Sequence, residues 1–142
     1  MPIIFHEKSR QFHIYNEYIS YIIEIMENGE LGNLYYGKKI NDRESFAYLH
    51  QDKERSLAAM ATDSQSNLCL QYTRQEYPSY GRGDYRYGAY KIEQENGSTI
   101  SKFEYVNHSI YAGKKSINPL PSTYVEDEEE ATGEKPFCLT HI

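Results

Sequence analysis

The chain contains no tryptophan and only two cysteines, Cys69 and Cys138, among its 142 residues. So few thiols, so far apart, exclude a disulfide framework and a four-thiolate metal site, and they point to free thiols in a reducing cytoplasm. No stretch approaches the ~18 apolar residues of a membrane-spanning helix. The first residues, MPIIFHEKSRQF, meet charge before any apolar core of a secretory signal can form. Positive charge is also scarce, with 15 Lys plus Arg against 21 Asp plus Glu and a net charge of −6. That balance argues against nucleic acid and anionic membrane as partners. There is no Walker loop, no GxSxG elbow and no dinucleotide GxGxxG, so no cofactor is expected. Gly81-Arg82-Gly83 is a poor phosphate cradle because no helix-forming segment follows it.

What is abundant is tyrosine, 15 residues of it. Tyrosine suits a pleated, half-buried strand surface, which accounts for the excess better than sugar stacking does. Residues 1–37 read as strands. Phe12 to Tyr15 is one. Tyr18 to Met26 is another, with Ile19, Tyr21, Ile23 and Ile25 on one face and Ser20, Ile22, Glu24 and Met26 on the other. The β-branched residues weigh against a helix there. Glu27-Asn28-Gly29-Glu30 then reads as a hairpin turn with both central residues at positive φ, and Leu31 to Gly37 as the returning strand.

Residues 38–67 are charged and lack period-two alternation, which predicts a long loop with one helical turn at most. Leu68 to Tyr72 reads as a strand. Residues 75–90, with five Tyr and three Gly, read as an ordered irregular segment. Tyr90 to Gln94 and Thr99 to Tyr111 are expected to form a second hairpin around Asn96-Gly97, with Ser101, Phe103, Tyr105 and Asn107 facing inward. The acidic run Glu126 to Glu130 reads as solvated surface, not a calcium loop. These elements predict an all-β, antiparallel sandwich.

Near the C-terminus, Thr132-Gly133-Glu134-Lys135-Pro136-Phe137 copies a zinc-finger linker, but Cys138 and His141 alone cannot supply a tetrahedral set, so no metal site is expected.

Four irregular blocks carry a resemblance. They are QEYPSYGRGDYR at 75–86, ENGSTISKFEYVNHSIYAGKK at 95–115, LPSTYVEDEEEAT at 120–132 and, more weakly, NGELGNLYYGKKI at 28–40. Together they resemble the N-terminal domain of bacterial α-galactosidases of glycoside hydrolase family 36. The likeness runs from Phe5 to Thr132. Residues 1–132 are therefore expected to be a partial N-terminal sandwich and 133–142 a tail outside the family pattern, as though the chain were cut in mid-domain.

The resemblance implies hydrolysis, with retention, of terminal α-linked galactose from melibiose- and raffinose-type oligosaccharides. It places both catalytic carboxylates in a barrel not represented here, so no catalytic residue is assigned and the 142-residue polypeptide is expected to be inactive alone. It implies a homotetramer formed partly through this domain. It also implies that a loop of this domain offers an acidic contact to an α-galactoside, and the matching loop is 38–67. Asp52 is the residue carried over, with His50 as the alternative and a merely solvated Asp52 as the plainer reading. A carboxylate suits the role because it accepts hydrogen bonds from two sugar hydroxyls at once. The competing functions are a stand-alone carbohydrate-binding sandwich and an assembly domain.

Overall fold

The computed structural model describes residues 2–51, 68–112, 119, 121, 131–134 and 137–140. Strands β1 (Ile3–His6), β2 (Gln11–Tyr15), β3 (Ile19–Ile25) and β4 (Leu31–Lys38) form a four-stranded antiparallel meander in chain order. Register assigns every side chain to a face. Phe5, Phe12 and Ile23 lie opposite one another, as do Ile3, Ile14 and Tyr21. This apolar face buries Phe12, Ile23, Ile25 and Leu31, and Tyr105 packs against it. Each such side chain contributes about 1.5–3 kcal/mol by leaving water.

The other face carries His6, Gln11 and Glu24 in one row and His13 and Ile22 in the next. The alternation along β3 marks it as the wetter side, yet Gln11, His13, Ser20 and Glu24 are all buried. Residues 38–51 fold over it and drive Phe46, which is wholly buried, between Ile22 and Leu34. Leu34 reaches this cluster through a bulge. Ile22 pairs with Tyr35 and Ile23 with Asn33, leaving Leu34 as the extra residue. The expected helical turn is a single 3-10 turn at Ala47–Leu49.

The β3–β4 turn differs from the two-residue form with positive φ at both Asn28 and Gly29. Only Gly29 has positive φ, at 83°. Gly29 N–H donates to Met26 O at 3.0 Å and Met26 N–H to Glu30 O at 2.8 Å, a three-residue loop closed by a left-handed glycine. Asn28 Oδ1 accepts the Glu30 N–H at 3.1 Å, which holds Asn28 in the turn without positive φ. The Gln94–Ser98 turn repeats the design with Gly97 at φ 80°. A Cβ at Gly29 would meet only ordinary contacts with Glu104. Gly29→Ala should therefore cost the backbone penalty alone, about 1–2 kcal/mol, measured by urea unfolding.

The remaining strands are β5 (Lys102–Tyr105), β6 (Ser109–Ala112), β7 (Ala131–Glu134) and β8 (Phe137–Thr140). They form two antiparallel ribbons, β5 with β8 and β6 with β7. The chain is thus an all-β antiparallel sandwich. Expected strands fail in two places. Leu68 to Tyr72 is a turn, because Cys69 O accepts the N–H groups of Tyr72 and Thr73, both at 3.1 Å, in place of a ladder partner. Tyr90 to Gln94 is not a strand either. Its turn closes, but the returning segment pairs with β8 instead. That segment also breaks at 106–108, where Tyr105 Oη meets His108 Nδ1 at 2.6 Å. Nor does it keep one inner face. Lys102 is buried, with its Nζ donating to Asn28 O at 2.7 Å, while Phe103 and Tyr105 are half-buried. The acidic run 126–130 lies outside the described residues.

Candidate functional site

The polar face of the sheet and the loop above it form a densely hydrogen-bonded part of the described residues. Asp42 Oδ1 accepts from His6 Nε2 at 3.0 Å and from His13 Nδ1 at 2.7 Å. His13 Nε2 lies 2.9 Å from Ser20 Oγ, and that hydroxyl also accepts the Ile40 N–H at 3.0 Å. The Phe46 N–H donates to Gln11 Oε1 at 2.7 Å. Finally, His50 Nε2 sits 2.8 Å from Glu24 Oε2. Every buried polar side chain on this face therefore meets a group of residues 40–50. The loop buries them and satisfies them at once, which is the condition for burying polar groups without loss.

The charges are arranged consistently. Burial works to raise the Asp42 carboxyl, but the hydrogen bonds and charge of His13 and His6 outweigh it and leave Asp42 below the usual carboxylate range. Glu44 Oε2 stands 3.7 Å from the other nitrogen of His6. Phe46 stacks edge-on to the His13 ring at 5.1 Å, which fixes the imidazole plane.

Of the sequence-expected substrate contacts, Asp52 lies outside the described residues. His50 is described, and its imidazole is engaged by Glu24 with 39% of the side chain exposed. That pairing makes His50 a tether of the loop to β3. Sequence reasoning missed Asp42, His6, His13, Gln11 and Glu24. For the strand residues a signal was there, in polar residues at alternate positions of β2 and β3, but such a row ordinarily faces water; Asp42, in the loop, carried none.

The QEYPSYGRGDYR block is a second ordered polar centre. Asp84 is almost wholly buried, and its carboxylate accepts from Arg86 Nε at 2.9 Å, Arg86 Nη2 at 2.7 Å and Gln75 Nε2 at 2.8 Å. Burial would raise this carboxyl, yet the Arg86 side-chain and backbone bonds outweigh it and hold Asp84 below its ordinary range. Arg86 also donates to Leu70 O at 2.7 Å, tying down the turn read as a strand. Glu76 receives Asn33 Nδ2 at 2.7 Å and the Tyr21 hydroxyl, and burial together with Glu76 pushes the Tyr21 phenol up. Gly32 and Gln75 form an isolated bridge, so the block runs beside β4. Its polar residues brace the sheet, while Tyr80, Tyr85 and Tyr87 point outward.

Among the described residues no cluster of His, Cys, Asp and Glu could hold a metal ion. The geometry defines a β-sandwich whose ionic centres brace loops against a sheet. Residues 29–134 match the Glycosyl hydrolase family 36 N-terminal domain, and the chain belongs to that family. It is 37% identical over 132 residues to alpha-galactosidase AgaA of Geobacillus stearothermophilus, covering 92% of this chain and 18% of that one. The crystal structure of alpha-galactosidase AgaB from the same organism superposes with a TM-score of 0.81 at 35% identity, over 96% of this chain and 18% of that one. A variant of AgaA crystallised in complex with raffinose gives a TM-score of 0.74 at 36% identity, over 91% and 18% of the two chains. The chain thus spans 18% of the length of these relatives.

Proposed function

We propose that this domain serves a retaining α-galactosidase that releases terminal α-linked galactose from melibiose- and raffinose-type oligosaccharides. The observation that supports this most directly is the 37% identity to AgaA across 92% of the chain. In this reading the chemistry belongs to close-set carboxylates outside these 142 residues, one a nucleophile and the other a general acid/base. The domain contributes architecture and one substrate contact. Residues 38–67 carry that contact to a galactoside, with Asp52 accepting hydrogen bonds from sugar hydroxyls. The working assembly is a homotetramer held partly through this domain. Its setting is the cytoplasm, a reducing compartment that suits the buried free thiol of Cys69.

The test is galactose release from raffinose by the full-length enzyme, followed by proton NMR. The α-anomer should appear first and then mutarotate. Initial β-galactose would refute retention, and no galactose would refute the activity. A polypeptide of residues 1–142 alone should stay at background, and turnover by it would overturn the division of labour proposed here.

A further inference from the structure

We infer that Asp42, gripped by His6 and His13, is a positioning residue that fixes how residues 40–46 cross the sheet and thereby tunes substrate binding without touching sugar. The inference rests on the reading that residues 38–67 carry a substrate contact.

The loop crosses the polar face between two fixed backbone amides. Ile40 N–H is held by Ser20 Oγ at 3.0 Å and Phe46 N–H by Gln11 Oε1 at 2.7 Å. Asp42 lies between them, and its carboxylate reaches back to two strands at once, to His6 on β1 and to His13 on β2. An ionised carboxylate can only accept, so both facing imidazole nitrogens must carry a proton. In its neutral form His13 is therefore the Nδ1–H tautomer, and its Nε2 accepts the Ser20 hydroxyl at 2.9 Å. Ser20 in turn accepts from Ile40. The chain Asp42–His13–Ser20–Ile40 begins and ends on the loop and runs through side chains of β2 and β3 on one face of the sheet. Such a closed circuit fixes the loop in two places through one buried ring.

Phe46, buried against Ile22 and Leu34, already secures the loop by apolar contact. What Asp42 adds is direction, because two charge-assisted bonds from different strands define a position and not merely an attachment. Phe46 and His50 hold the residues that follow on the same face, His50 through Glu24.

The experiment uses the full-length enzyme with Asp42→Asn, which keeps the shape and removes the charge. Exchanging a charged for a neutral hydrogen bond should weaken the clamp roughly fivefold. Hydrogen exchange read by mass spectrometry should quicken about that much over residues 40–46, with strand β3 unchanged. On raffinose, KM should rise roughly fivefold with kcat within about twofold of wild type. His6→Leu should reproduce the effect, and His6→Gln, which keeps an N–H donor toward Asp42, should restore it. This pair decides the matter should Asp42→Asn fail to fold. In the double variant with Asp52→Ala, the Asp42 change should add little, because both act through one loop.

Wild-type exchange over 40–46, or an unchanged KM with a lowered melting temperature, would reduce the cluster to a structural tether and overturn the inference. Inert Asp52→Ala kinetics beside a raised KM for Asp42→Asn would instead refute Asp52 as the contact and leave the positioning role supported.

Discussion

Asp84→Ala should lower the stability of the domain by about 3 kcal/mol at neutral pH. Removing one partner of a buried ion pair costs about 3–5 kcal/mol. The Arg86 side chain is half exposed and regains water, which favours the lower end. The loss reaches beyond the pair, since Asp84 also accepts from Gln75, and Arg86 also braces Leu70. The pH dependence has a definite sign. The folded-state Asp84 carboxyl lies below its ordinary value of 3.8. Its contribution is therefore complete above that value and is lost as pH falls through the lower folded-state value. Urea unfolding should show wild type and Asp84→Ala far apart near neutrality and converging well below pH 3.8. A gap that persists undiminished in acid would assign the effect to packing.

In the full-length enzyme, Asp52→Ala should lower kcat/KM on raffinose roughly 10- to 150-fold, the equivalent of losing a hydrogen bond to a charged group at about 1.5–3 kcal/mol. A solvated surface carboxylate would change it less than about twofold, since it touches no substrate. His50→Ala is the informative companion. Its imidazole is tied to Glu24, so its removal frees one tether of the loop while Asp42 and Phe46 still hold. A fall smaller than that of Asp52→Ala is expected. Near-normal kinetics for Asp52→Ala with a large loss for His50→Ala would move the sugar contact by two residues. Normal kinetics for both would leave the loop a purely architectural part.

Much of the fold is legible in the residues. The alternation of Ile19, Tyr21, Ile23 and Ile25 marks β3, and Asn28-Gly29 marks its turn, because period and turn chemistry are local. The turn type is less legible. Asn28 can satisfy the turn through its side chain without positive φ, so the same dipeptide serves two loop lengths. Leu68 to Tyr72 fails for a similar reason. Its apolar composition suits a strand, but Gln75 and the more distant Arg86 both claim the Leu70 carbonyl.

The candidate site is less legible. The resemblance offers Asp52, which lies outside the described residues, and the clamp at Asp42 has no signal in the sequence. Asp42 lies far along the chain from His6 and His13, and only the β1–β2 register sets the two rings side by side. Nothing local distinguishes a histidine that faces water from one awaiting a loop.

The sequence by itself determined the all-β class, the strand and turn positions of the first sheet and the family, since these depend on local periodicity and on long irregular motifs. Tertiary structure alone decided that the polar face is buried and that β5 pairs with β8. A period-two pattern defines two faces but not what covers either. Backbone hydrogen bonds are the same for every residue, so which strands pair depends on which edges the folded chain brings together.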